Sequence, residues 1–276
     1  MLSDAPSREE ERTIMKRLAG ITVLLVLTTT AGCGLVDKAT APAGKTEPVI
    51  TPREQLLRAV PDEKTPAFAF DIKGGVTPIS GVLDAPRETF RVQVKQSEPD
   101  AGFSMTMYAL TVRDKAWMKI LFEPADVPGL PRVPRKWLVV DPARVTDPEV
   151  APSGYDGDTD PGYAGLVLKG AAAVAGTGHG HYTGTTDLTA STEAEIVTDA
   201  RLKALGPKAK AVPFEADVDG DGRLTSLLVR IPAAGKAKAA TYHVRYTGFG
   251  TTETPVAPAA AEQQKATPVV YDLLNS

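Results

Sequence analysis

The chain has 276 residues, with 31 Lys and Arg against 34 Asp and Glu, a formal net charge of −3 and one cysteine. Near-neutral charge and scattered basic side chains exclude the electrostatic footprint of a nucleic-acid binder, and a lone thiol excludes an internal disulfide framework. Stability must therefore come from buried apolar surface, and the length suffices for one large domain or two small ones, with one continuous core favoured.

Residues 1–14 are acidic at Glu9, Glu10 and Glu11 and do not suit the charged start of an export signal, so translation is expected to begin at Met15. From there Lys16 and Arg17, an apolar run from Leu18 to Leu27, and Thr30-Ala31-Gly32-Cys33 give the three-part layout of a signal peptide over 15–32. The run is too short to span a bilayer comfortably. Small residues before the only Cys resemble the bacterial lipobox, with Thr30 standing where Leu is usual. The resemblance implies a diacylglyceryl group on the Cys33 thiol and cleavage just before it; two acyl chains anchor stably where one does not. An ordinary signal peptide with an incidental Cys is the other reading. Residues 33–52 then form the lipidated N-terminus and a flexible tether, since Gly34 to Pro52 is rich in Ala, Pro, Thr and Lys. Beyond Leu27 no stretch approaches a spanning length, so the lipid is the only membrane attachment expected.

The domain proper is expected over 53–253. Thr51-Pro52-Arg53-Glu54 supplies a capping box and Pro at the first helical position, predicting a helix over Arg53 to Val60 with Leu56, Leu57 and Val60 buried. The period then changes to two. Phe68, Phe70 and Ile72 alternate with polar residues, as do Phe90, Val92 and Val94, so each set lies on one sheet face. Ser104 to Val112, Ala116 to Phe122 and Lys136 to Asp141 read as further strands with apolar groups on both faces, implying a sheet covered on both sides. Short Gly, Pro and Asp connections imply antiparallel pairing. After a loop from Pro142 to Asp160, helices are predicted over Pro161 to Val174 and Glu193 to Leu205, with a strand from His181 to Thr189 between them. Three strands follow, Val212 to Val218, Arg223 to Ile231 and Ala240 to Gly248; Phe214, Ala216 and Val218 share a face, as do Tyr242, Val244 and Tyr246. The tail 254–276 ends in an apolar cluster, Val269 to Leu274, which either docks on the domain or stays loose.

Several constellations resemble chemistry. Asp217, Asp219, Asp221 and Gly222 match the first half of a calcium loop, but Leu228 stands where a bidentate Glu belongs, and the flanking strands make Asp219 to Gly222 a hairpin turn. Asp156, Asp158 and Asp160 repeat the spacing with Pro161 in place of Gly and Val167 at the last position. His179, His181 and Asp187 would suit zinc, and strand alternation would put both imidazoles on one face; the surrounding glycines favour a turn into a strand instead. His243 is expected on the polar side of its strand beside Arg245. There is no Gly-x-Ser-x-Gly elbow, and Gly165 and Gly170 are not followed by the Lys of a phosphate loop. No catalytic residue, metal or cofactor is assigned, and the protein is not expected to be an enzyme.

The order of these pieces resembles the LppX/LprG-type lipoproteins of mycobacteria and their relatives, which share the LolA-like fold. The likeness rests on the capped helix, Trp137-Leu138-Val139-Val140-Asp141, His181 to Leu188, Val212-Pro213-Phe214-Glu215 leading to Asp219 to Leu224, and Tyr246-Thr247-Gly248-Phe249-Gly250, all behind a lipobox. It implies an α+β fold in which an antiparallel sheet curls into a half-barrel, with helices covering the concave face. It also implies a monomeric carrier or chaperone on the outer face of the cell membrane, holding the acyl chains of a lipid or lipoglycan. Phe68, Phe70, Ile72, Phe90, Val92, Val94, Phe214, Tyr242, Val244 and Tyr246 would line the groove, or else simply fill a core, because alternation reports burial and not vacancy. The same fold also serves protein-binding envelope sensors and adaptors, for which the loop Glu123 to Arg135 would be the contact surface. A zinc-dependent hydrolase at His179 and His181 is a third reading.

Overall fold

The structure, a computed structural model, describes residues 50–147 and 151–275. The expected signal segment, Cys33 and all but the last residues of the tether lie outside the described residues. The strands are β1 Phe68–Gly74, β2 Ile79–Asp84, β3 Thr89–Glu98, β4 Phe103–Val112, β5 Lys115–Glu123 and β6 Trp137–Val139, followed by β7 Ala171–Gly178, β8 His181–Thr186, β9 Val212–Val218, β10 Leu224–Ile231, β11 Ala240–Thr247 and β12 Gln263–Lys265. They form one open, curled sheet in the order β12-β6-β5-β4-β3-β2-β1-β11-β10-β9-β8-β7. The α-helices are α1 Pro52–Ala59, α2 Ala164–Lys169, α3 Asp199–Leu205 and α4 Pro268–Leu274. The fold is thus α+β. All strand pairs are antiparallel except β12 with β6, which run parallel, so the wholly antiparallel expectation is corrected. The long return of the tail from β11 is what permits that pairing.

The capping box forms as its spacing requires. Thr51 Oγ1 accepts the Glu54 N–H at 3.3 Å, and Glu54 Oε2 accepts the Thr51 N–H at 2.8 Å. The Thr51 N–H and the Thr51 hydroxyl, both donating to Glu54 Oε2, lower the pKa of the Glu54 carboxyl. Leu56 and Ala59 are buried, whereas Leu57 and Val60 only border the core. Strand β2 is a strand the alternation did not predict, because Gly81 interrupts its apolar pattern. A Cβ at Gly81 would stand 2.0 Å from Arg91 O and 2.5 Å from the Phe70 ring. The bare backbone instead admits Phe70, which stacks on Phe90 with centroids 5.8 Å apart.

Two predicted helices are corrected. The first starts at Ala164 and stops at Lys169; the alanines beyond Gly170 form β7, paired with β8. Alanine's helical preference is small per residue, and strand pairing overrides it. Ala173 adopts φ 50° where the β7–β8 register shifts, so a bulge blunts this outermost strand. In the second, only Asp199–Leu205 is α-helical, preceded by a 3-10 turn at Thr192–Ala194 and by Glu195 at φ 43°. Thr198 caps the helix, its Oγ1 accepting the Arg201 N–H at 3.3 Å.

The single continuous core is also corrected: there are two clusters on the helix-bearing face. The larger packs Leu56 of α1, Val167 and Leu168 of α2 and Leu205 of α3 against Phe68, Phe70, Phe214, Leu227, Tyr242, Val244 and Tyr246. The smaller packs Val270, Tyr271 and Leu274 of α4 against Met118, Ile120 and Leu138. The C-terminal tail therefore docks. The opposite face is covered in part too, since Leu110 and Trp117 are buried and Trp117 Nε1 donates to Gln263 Oε1 at 2.9 Å.

Candidate functional site

Between the two clusters lies a cavity of about 930 Å³. Met107 and Ile120 come from β4 and β5, Ile231 from the end of β10, Ile196 from the approach to α3, and Leu274 from α4; all five are buried and make its floor. Phe103, Met105, Phe122 and Val197 form half-buried walls. Two methionines among them supply flexible, polarizable surface that adapts to irregular hydrocarbon. The rim is exposed at Glu98, Ala101, Thr198 and Thr241. Leu130 and Pro131 reach in from the loop after β5.

Pairing explains why these side chains converge. Gln96, Met105 and Phe122 are in register across β3, β4 and β5, as are Val94, Met107 and Ile120 one step further along. The second of these rows continues through Ile79 to Ile72. The cavity thus occupies the same sheet face as the aromatic rows read from the sequence, but nearer one end. Phe68, Phe70, Ile72, Val92, Phe214, Tyr242, Val244 and Tyr246 are buried in the larger cluster, with Phe90 packed on it and Val94 buried beside it. None of these ten lines the cavity. Gly75, a lining residue, abuts the Tyr242 ring.

Fold placement settles the other constellations. Asp219 Oδ1 accepts the N–H groups of Asp221 and Arg223, each at 2.9 Å, and closes the β9–β10 hairpin. His179 sits at φ 53° in the β7–β8 turn, whereas His181 is in β8 with its Nδ1 2.6 Å from Asp217 Oδ1. The two imidazoles are therefore not successive members of one strand face, and Asp187 Oδ1 is occupied by Thr189. Among the described residues no group of three His, Cys, Asp or Glu is placed to hold a metal. His243 lies on the polar face, its Nε2 3.0 Å from Ser226 Oγ, and burial lowers its pKa.

The Asp156 to Asp160 run is a strap across the domain. Asp156 and Asp158 each accept an N–H two residues on at 3.0 Å, making successive Asx turns. Asp160 Oδ2 accepts the Gly165 N–H at 2.7 Å at the start of α2, while the Tyr246 hydroxyl donates to Oδ1. Burial raises the carboxyl pKa of Asp160, and it raises that of Asp158 from 3.8 to about 6. The folded state therefore holds the Asp158 proton more tightly than the unfolded chain does. Its stabilising contribution is complete below pH 3.8 and is lost as pH rises to about 6. Asp158→Asn keeps the oxygen that accepts from Asp160. It is expected to raise stability at neutral pH by roughly 1–3 kcal/mol and to flatten that part of the pH profile, as read from thermal melts across the acid range.

No family model and no curated protein matches the chain. Among solved structures, a porin-like protein from Bacteroides uniformis is similar over 68% of this chain and 98% of its own, at 10% identity and a TM-score of 0.17. A likeness at that level carries no argument about fold or function.

The sequence pattern contained a signal for part of the cavity. Phe103, Met105 and Met107 alternate along β4, and Ile120 and Phe122 along β5, but apolar residues on the other face mask the period. Ile196, Val197 and Arg201 carry no comparable signal, because an irregular approach to a short helix delivers them.

Proposed function

We propose that this chain is an exported lipoprotein, anchored by a diacylglyceryl group on Cys33, that holds lipid acyl chains on the inner face of a LolA-like half-barrel and carries them in the cell envelope. The observation supporting this reading is the apolar cavity of about 930 Å³ between two otherwise well-filled clusters. Ligand sites occupy about 300–1,000 Å³, so its size is at the upper end of that range. Each methylene withdrawn from water contributes about 0.8 kcal/mol, so a long chain gains ample affinity from burial alone. A tether of some twenty residues would keep the mouth within reach of the membrane. Among the described residues no helix is long and apolar enough to cross a bilayer.

The adaptor reading relied on the loop after β5 as a protein-contact surface. That loop turns Leu130 and Pro131 toward the cavity and packs Val133 on the smaller cluster, while Pro124, Ala125 and Pro128 stay exposed, so its C-terminal half faces inward. This favours a wall over a docking surface. The test uses Cys33→Ala protein. It is expected to leave the membrane fraction and, after gentle purification, to release acylated lipid detectable by mass spectrometry. Cys33→Ala protein that stays tightly membrane-bound overturns the anchor, and lipid-free protein that takes up no added acyl chains overturns the carrier reading.

A further inference from the structure

Among the described residues, Arg201 is the one basic side chain lining the cavity. It projects from the first turn of α3 and its Nη2 donates to Lys238 O at 2.7 Å, which fixes the guanidinium beside the β10–β11 connection. Its Nε is buried with no hydrogen-bond partner, and among the described residues no carboxylate pairs with it. A buried, unsatisfied charged donor is costly, and native structures leave few of them. The other charged lining residue, Glu98, is exposed on the rim and opposes an anion there.

We infer that the cavity takes an amphiphile whose head is anionic, with the Arg201 guanidinium donating to a carboxylate or phosphate oxygen while the hydrocarbon lies against Met105, Met107, Ile120 and Phe122. The inference rests on the acyl-chain reading of the cavity and adds the charge of the head. A hydrogen bond to a charged group corresponds to about 10- to 100-fold in affinity. Fixing the donor in advance lowers the cost of forming that bond.

The test is equilibrium dialysis of full-length Cys33→Ala protein against radiolabelled palmitate, hexadecyl phosphate and hexadecanol, which share one chain and differ in the head. At least one anion is expected to bind about tenfold or more tighter than hexadecanol, and the anion preferred distinguishes a carboxylate head from a phosphate head. Arg201→Gln should abolish that preference while hexadecanol still binds, and the latter reports that the cavity still forms. Arg201→Lys, which keeps the charge, should retain part of the preference. Equal binding of all three probes by the parent, or a preference that survives Arg201→Gln, overturns the assignment and leaves the carrier reading standing. Failure of the parent to bind any probe overturns the carrier reading itself.

Discussion

Met105→Trp is expected to weaken acyl-chain uptake at least about tenfold while shifting the melting temperature by only a few degrees. Met105 is half-buried on β4, in register with Gln96 and Phe122, and borders the cavity directly. An indole there occupies space that hydrocarbon would otherwise fill. Displacing two methylenes from that space at about 0.8 kcal/mol each already exceeds the 1.4 kcal/mol that corresponds to tenfold. Overpacking of a filled core costs about 1–3 kcal/mol, but Met105 faces a void and can enlarge without forcing its neighbours. Tyr108→Ala provides the control. Tyr108 packs edge-on against Trp137 across the other face of the sheet, and its removal should leave uptake unchanged. Uptake by Met105→Trp equal to that of the parent would show that hydrocarbon binds elsewhere.

What the sequence disclosed, and what it concealed, follows from the range of each interaction. The capping box of Thr51 and Glu54 is local, so a four-residue stretch sufficed to predict it. The faces of β1, β3, β9 and β11 were also legible, because alternation is a property of the strand itself. Alternation places Phe70 and Val92 on the inner face but does not say whether they are covered; both are buried in the cluster that also holds Leu56 of α1 and Val167 and Leu168 of α2. The cavity lies where β3, β4 and β5 meet Arg201 of α3 and Leu274 of α4, a space bounded by elements far apart in the chain. The alanines of β7 misled for a different reason. Their helical preference is real but weak, and Ala171 and Ala172 gain more by pairing with Thr186 and Thr185. The tail's fate was similarly invisible, since β12 finds its parallel partner β6 more than a hundred residues away.

Deleting residues 255–276 should open the smaller cluster and abolish acyl-chain uptake together. Val270, Tyr271 and Leu274 of α4 are buried against Met118, Ile120 and Leu138. At roughly 1.5–3 kcal/mol for each fully buried large apolar side chain, the gross loss is comparable to the 5–15 kcal/mol by which whole domains are stable. Polar bonds go with it. The Asp141 N–H donates to the Tyr271 hydroxyl at 3.0 Å, Asn275 Oδ1 accepts the Thr146 N–H at 2.7 Å, and the Arg144 guanidinium lies 3.7 Å from the Tyr271 ring centroid. Graded variants separate the contributions. Leu274→Ala removes both core packing and cavity floor and is expected to cost about 2–5 kcal/mol. Tyr271→Phe keeps the ring but orphans the Asp141 N–H, at about 1–3 kcal/mol. Denaturant titration gives the stability order, and hydrogen exchange should show protection lost first in β5 and β6, with β9 to β11 retaining theirs. A truncated chain with the parent's unfolding midpoint and undiminished uptake would mean that α4 neither completes the core nor walls the cavity.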